Sequence, residues 1–314
     1  MYRYIFGPVP SRRLGYSLGI DPLPSKICSY DCVYCEVGRT IQKTIERKEY
    51  VPADLILDEL FRFLEETRFR IDVITFSGSG EPTLHSGLGY MISKIKERTD
   101  IPVAVLTNGS LLWLDEIRQE LKVADIVIPS LDAVSPEIFI KVNHPHLSIT
   151  PDKVIEGEAK FRKIFNGKYW LEVLIVKNVN DKESEYRKIA EAVKLINPDK
   201  VQLNTVVRPP GSGRAEPVDV KELEKLQLII GEKAEIIPPF EAKSEKGGNL
   251  TLLDNLINML EIRPCTLDEL SAVLGVEKES IKMALEGLKY KNIMIEKEVN
   301  GEVFYKIKRK EGVV

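Results

Sequence analysis

Cysteine is scarce in this chain, four among 314 residues, and three of the four fall within eight positions. Such a distribution cannot build a disulfide framework, and it fits a reducing compartment in which crowded thiols stay available as ligands. Histidine is rarer still at three, two of them standing together as His144 and His146. No apolar run approaches the ~20 residues of a membrane span, and residues 1–8 carry no signal-peptide core. No membrane contact and a cytoplasmic location are therefore expected. A charge excess is missing too: 45 Lys and Arg face 48 Asp and Glu, a formal balance of -3, so no global field draws the chain to nucleic acid. The remaining composition is that of a globular protein long enough for one large domain and a small one.

What is present is organised around Cys28, Cys32 and Cys35. A C-x3-C-x2-C run puts three soft thiolates on one short loop, which suits iron-sulfur chemistry and leaves one metal position open for chemistry. A structural zinc site, which would want a fourth ligand, and simple burial are the alternatives. Cys265 lies far from the run and reads as a buried small apolar residue.

Around the loop, strands alternate with helical patterns. Apolar runs at 17–21, 71–76, 101–109, 124–132, 170–176 and 201–207 read as six strands. Helical spacing is found at 52–66, 88–97, 114–121, 153–165 and 182–196. This alternation predicts a parallel β/α sheet with ligands at the carboxyl ends of its strands. The second strand exits through Ser77-Gly78-Ser79-Gly80-Glu81-Pro82, where glycines permit close backbone approach to a ligand and a carboxylate can meet an ammonium. Asn108, Ser130 and Asp132 stand at the ends of the third and fourth strands, where helix capping or turn formation would equally account for them.

The cysteine spacing, with Tyr34 just before the last cysteine, resembles the cluster loop of the radical S-adenosylmethionine (AdoMet) superfamily. Ser79-Gly80-Glu81-Pro82 resembles that superfamily's Gly-Gly-Glu-Pro element, with Ser in place of the first Gly. The blocks at 7–38, 77–84 and 176–181 are most similar to the wyosine-synthase-related iron-sulfur oxidoreductases. The resemblance implies a partial (β/α)6 barrel and a 4Fe-4S cluster on Cys28, Cys32 and Cys35. It implies AdoMet on the open iron, held with Tyr34, Ser79, Gly80, Glu81, Asn108, Ser130 and Asp132. It also implies reductive cleavage to a 5'-deoxyadenosyl radical for hydrogen abstraction, fed by an electron donor such as ferredoxin or flavodoxin. Wyosine synthase carries a further amino-terminal cysteine set, and residues 1–27 here contain none, so its tRNA chemistry does not transfer directly. The substrate is left as a small molecule, tRNA or protein. An activating enzyme for a partner protein and a cluster-bearing redox sensor that binds nucleic acid are the alternatives.

Four arginines and two histidines are candidate substrate contacts. Arg12 and Arg13 stand near the cluster loop in sequence, and Arg208 and Arg214 lie beyond the sixth strand. All four suit an anionic group, because a guanidinium matches carboxylate or phosphate with two donors; solvated charge is the alternative. His144 and His146 suit proton transfer or hydrogen bonding, or are surface loop residues.

The chain divides on paper into a barrel with its extension at 1–241, a Gly-rich linker at 242–248 and a winged helix-turn-helix-like domain at 249–314. Within the last, Thr266-x-x-Glu269 is a capping box, Gly275 a helix stop and Asn300-Gly301 a hairpin turn. Residues 249–314 hold 10 Lys or Arg and 11 Asp or Glu, a balance of -1, so duplex DNA is not the expected partner. Because every proposed AdoMet contact precedes residue 133, the barrel alone is expected to suffice for cleavage.

Overall fold

The computed structural model describes residues 2–67, 69–211, 215–237, 263–299 and 301–308, with single positions 253, 256, 257, 259 and 260. Arg214 and the linker at 242–248 lie outside the described residues, as does most of the helical pattern at 252–261.

All six strands read from the sequence are present and parallel: β2 (Gly15–Ile20), β5 (Val73–Phe76), β6 (Val103–Thr107), β7 (Ile126–Pro129), β8 (Lys168–Ile175) and β9 (Lys200–Thr205). They lie side by side in chain order, as right-handed crossovers through helices produce. The crossovers include α1 (Ala53–Glu66), α2 (Leu88–Arg98), α3 (Asp115–Leu121), α4 (Pro136–Asn143), α5 (Pro151–Ile164) and α6 (Glu183–Ile196). Two strands extend the sheet. At one edge β10 (Ala234–Ile236), reached through α7 (Val220–Ile230), adds a further parallel strand. At the other, β1 (Ile5–Ser11) pairs antiparallel with β2. Its segment reads as turn-rich because of Gly7, Pro8 and Pro10, but an edge strand tolerates proline where its missing N–H faces away from the ladder.

The sheet curls. Between β2 and β8 lie four strand spacings, ~19 Å in a flat sheet. Yet Arg13, in the turn before β2, places Nη1 2.7 Å from Glu172 Oε2 of β8. Its neighbour Arg12 donates to Asn204 Oδ1 of β9 at 3.1 Å. An open barrel accounts for both contacts, and its interior floor is the small apolar cluster of Val73, Ala104, Ile126 and Ile128, with Leu14, Leu106 and Trp170 against it.

The carboxyl-terminal residues form β11 (Cys265–Thr266), α8 (Leu267–Leu274), α9 (Lys278–Tyr290), β12 (Met294–Val299) and β13 (Glu302–Ile307), with the strands ordered β11-β13-β12. The capping box is made at Thr266 and Glu269, and Gly275 closes α8 at a φ of 62°. This unit is not detached from the barrel. Phe6 and Val9 of β1 and Tyr16 of β2 share one buried cluster with Leu256, Met259, Leu270, Val273, Leu285 and Ile307. Polar contacts add to the seam: Arg263 Nη2 donates to Pro10 O at 2.8 Å, and Lys306 Nζ donates to Glu36 O on the cysteine loop. The unit thus lies along the strand edge where the barrel is incomplete.

Candidate functional site

The cysteine loop leaves the carboxyl end of β2 and is tied down at two places. At its base β3 (Ile27–Cys28) pairs with β4 (Gln42–Lys43). At its tip the last turn of α4 supplies carbonyls that a helix end leaves without partners: Asp31 N donates to Asn143 O and Val33 N to Val142 O, both at 3.0 Å. Beyond α4, His146 N donates to Ser29 O at 2.8 Å. The described part of the loop after β9 closes over the far side, Gly211 N donating to Cys35 O at 2.9 Å. A Cβ at residue 211 would sit 2.6 Å from Gly38 N, so this approach requires glycine.

Each sulfur has an N–H donor. Lys26 Nζ lies 2.7 Å from Cys35 Sγ, Asn143 Nδ2 3.4 Å from Cys32 Sγ, and Tyr30 N 3.5 Å from Cys28 Sγ. Burial pushes the Cys28 thiol up to about 11 against the pull of Lys26, and burial with the Asp132 charge raises Cys32 as well. Ligation therefore has to displace protons from these sulfurs, which a metal does directly. Three sulfurs on one loop, each with a donor, make the soft ligand set that suits an iron-sulfur cluster, and Cys265 is placed elsewhere, buried in the core shared with β1.

The glycine element serves this loop. Gly80 packs against it so closely that a Cβ would lie 1.8 Å from Ile27 O, and Glu81 N donates to that same carbonyl at 3.1 Å. The close approach expected toward a ligand is in this structure an approach to the strand that carries Cys28. Ser79 N donates to Asp21 Oδ2 at 2.8 Å. Glu81, buried, ties β5 to β6: Oε1 accepts from Thr83 N, Thr83 Oγ1 and Thr107 Oγ1, and Oε2 from Asn108 N at 2.7 Å. Each carboxylate oxygen offers about two acceptor positions, so Oε1 is crowded by its three donors while Oε2, with one, retains room for another. Burial raises the Glu81 pKa, against these hydrogen bonds. Asn108 Nδ2 donates to Ser29 Oγ at 2.8 Å and approaches Cys28 Sγ at 3.6 Å.

Asp132 forms the opposite wall. Its Oδ2 accepts from Tyr34 OH and Asn143 Nδ2, and its Oδ1 from Leu174 N at 3.0 Å. Asn143 therefore joins Asp132 to Cys32. Ser130, at the end of β7, makes an isolated bridge with Glu172 of β8.

Burial lifts the Asp132 carboxyl to about 6, more than its hydrogen bonds lower it. A carboxyl raised in the folded state contributes stability that is complete below its unfolded value near 3.8 and is lost as pH rises through about 6. We expect Asp132→Asn to gain on the unaltered protein as pH rises through that window, by up to ~3 kcal/mol for a shift of about two units. Urea midpoints of both cofactor-free proteins between pH 4 and 8 check this. A constant gap would assign the lift to other groups.

The substrate candidates scatter. Arg12 and Arg13 lie in the β1–β2 turn, but their side chains reach to Asn204 near the carboxyl end of β9 and to Glu172 of β8, and Arg12 senses the charges of Arg208 and of Glu36 on the cysteine loop. Arg13 is committed to Glu172. Arg208 is buried and paired with Glu269 of α8, and its Nε donates to Pro264 O at 3.1 Å, so it is a seam residue, not a group open to substrate. His144 is exposed at a φ of 42° at the end of α4, its carbonyl accepting from Lys43 Nζ, and His146 Nδ1 is 2.8 Å from Ser148 Oγ. Neither reaches the sulfurs. Missed in the sequence were Lys26, Asn143, Glu172 and Asn204. Glu172 had a signal, a lone charge inside the apolar run at 170–176; Asn143 had none, because its partners are distant in sequence.

Residues 23–190 match the Radical SAM superfamily, and this chain belongs to it. The chain is 36% identical over 310 residues to a UPF0026 protein of Methanocaldococcus jannaschii, covering 96% of this chain and 94% of that one. To a protein named GTPase Obg of Brachyspira hyodysenteriae it is 38% identical over 306 residues, covering 96% of this chain but 45% of the relative; the chain thus spans less than half of that protein. A structure of TYW1 with a lysine-pyruvate adduct bound superposes with a TM-score of 0.52 at 15% identity, over 72% of this chain and 75% of that one, a likeness of fold alone. Superfamily membership brings with it the cofactor pair expected from the sequence, S-adenosylmethionine and a 4Fe-4S cluster. No helix among the described residues is long and apolar enough to cross a membrane.

Proposed function

We propose that this chain is a radical AdoMet oxidoreductase in which Cys28, Cys32 and Cys35 hold the 4Fe-4S cluster and the surrounding carboxyl ends of the strands hold AdoMet. The observation that carries the reading is the three-sulfur loop with a donor on each sulfur and no fourth cysteine near it. When bound, the cluster and AdoMet supply a 5'-deoxyadenosyl radical that abstracts hydrogen. The chain's own part is placement. Glu81 keeps an acceptor position on Oε2 for an ammonium. Asn108 and Ser79 fix the loops about it, and Asp132, held by Tyr34 and Asn143, suits a ribose hydroxyl. Ser130, beside Glu172, faces the same end of the barrel.

Arg12 is the arginine best suited to an anionic group of the substrate, since among the described residues its hydrogen-bond partner is the neutral Asn204. Burial and the nearby Arg208 charge lower its pKa to about 10, so an anion would relieve both. The carboxyl-terminal unit is proposed as a winged helix-like docking surface for a small molecule, tRNA or protein substrate, with ferredoxin or flavodoxin as electron source. Its near-neutral charge balance disfavours duplex DNA.

Anaerobic reconstitution with iron and sulfide, followed by AdoMet and dithionite, is expected to release 5'-deoxyadenosine. A cluster that forms yet never yields the nucleoside would favour the redox-sensing regulator. Deuterium transfer from candidate small molecules, peptides and tRNA into the nucleoside then identifies the substrate class.

A further inference from the structure

Lys26 is a buried lysine, only 6% exposed. Its side chain is long enough to carry the ammonium out to water while the stem stays covered, but it turns inward and sets Nζ 2.7 Å from Cys35 Sγ. The backbone fixes this choice. Lys26 O accepts from Ile41 N at 3.0 Å and Gln42 N at 3.4 Å, which anchors the residue at the base of the cysteine loop. Among the described residues no carboxylate forms an ion pair with it, and the strongest opposing charges are those of Cys35, Cys28 and Cys32. A buried, unpaired ammonium is costly. The arrangement is balanced only when the sulfurs carry negative charge, as thiolates around a metal cluster do.

We propose that Lys26 compensates the charge of the cluster held by Cys28, Cys32 and Cys35, favouring its reduced, more negative state and so raising its midpoint potential. This rests on the cluster reading above. The step concerned is the gain of one electron by the cluster from an external one-electron donor, with no bond made or broken. A fixed cation at this range stabilises the added charge more than a neutral side chain would, and burial keeps salt from screening it.

The test compares Lys26→Gln and Lys26→Arg with the unaltered chain, all reconstituted anaerobically. Iron and sulfide content and a potentiometric titration followed by electron paramagnetic resonance are the readouts, without AdoMet. In Lys26→Gln, with full cluster content, reduction is expected to be at least ~10-fold less favourable, a fall of ~59 mV for one electron. Lys26→Arg, which keeps the charge, is expected to lose less than half of that. Equal midpoints for Lys26→Gln and the unaltered chain would overturn the proposal while leaving the cluster reading intact. If Lys26→Gln fails to load a cluster and Lys26→Arg loads one, charge compensation is supported at the stage of assembly. Failure of both would show that lysine's shape matters and would overturn it. Absence of a 4Fe-4S signal in the unaltered chain would instead remove the cluster reading itself.

Discussion

Cys28→Ala, Cys32→Ala and Cys35→Ala are each expected to abolish the 4Fe-4S absorbance and with it AdoMet cleavage, whereas Cys265→Ala spares both. Three thiolates are the minimum that hold a cluster with one iron left open, and the loop offers no replacement: its other polar neighbours, Asn108 and Asn143, approach the sulfurs as N–H donors. Cys265 pairs with Tyr305 in the carboxyl-terminal sheet and directs Sγ at Arg263 O, 3.7 Å away. Its loss leaves a small void in a buried cluster and costs about 1 kcal/mol, the usual size of a core truncation this small. Anaerobic absorbance and nucleoside release, measured on all four variants, decide the matter. Loss of the cluster in Cys265→Ala at undiminished folding would make that residue a ligand.

Truncation after residue 248 is expected to yield a protein of greatly reduced stability that does not support AdoMet cleavage, contrary to what cysteine position alone suggests. The cut uncovers Phe6, Val9 and Tyr16, now 7%, 6% and 7% exposed. Roughly 1.5–3 kcal/mol is lost for each large apolar side chain returned to water. It also strands Arg208, whose buried partner Glu269 leaves with the small unit; breaking a buried pair by removing one member costs about 3–5 kcal/mol. Set against the ~5–15 kcal/mol that holds a typical domain folded, these losses are decisive. Urea unfolding of residues 1–248 beside the full chain checks this. An unchanged midpoint, with 5'-deoxyadenosine still released, would show that the small unit only docks substrate.

Local pattern carried much of the architecture. Apolar runs at 71–76 and 170–176 have too few residues for a helix and too many β-branched and aromatic ones for a loop, so β5 and β8 were legible, and Thr266 and Glu269 announced their helix by the geometry of three residues. The lead-in at 5–11 was not legible as a strand, because proline and glycine signal turns unless a sheet edge is available to accept them. That edge is a tertiary fact. Arg208 shows the same limit: a guanidinium beyond a strand suits an anion equally whether the anion is a ligand or Glu269, and only the packing of α8 against β1 decided which.

The sequence by itself determined the cysteine loop, the parallel order of the strands and the gathering of polar residues at their carboxyl ends, since each of these is encoded in spacings of a few residues. Tertiary structure alone decided which cation stands at the sulfurs, which arginine is tied to Glu269, and that the carboxyl-terminal unit shares a buried cluster with β1 and β2. The physical reason is range. Hydrogen bonds such as Asn143 to Cys32, and ion pairs such as Arg208 to Glu269, join residues 111 and 61 positions apart, and their partners are chosen by the curvature of the sheet, which no local pattern specifies.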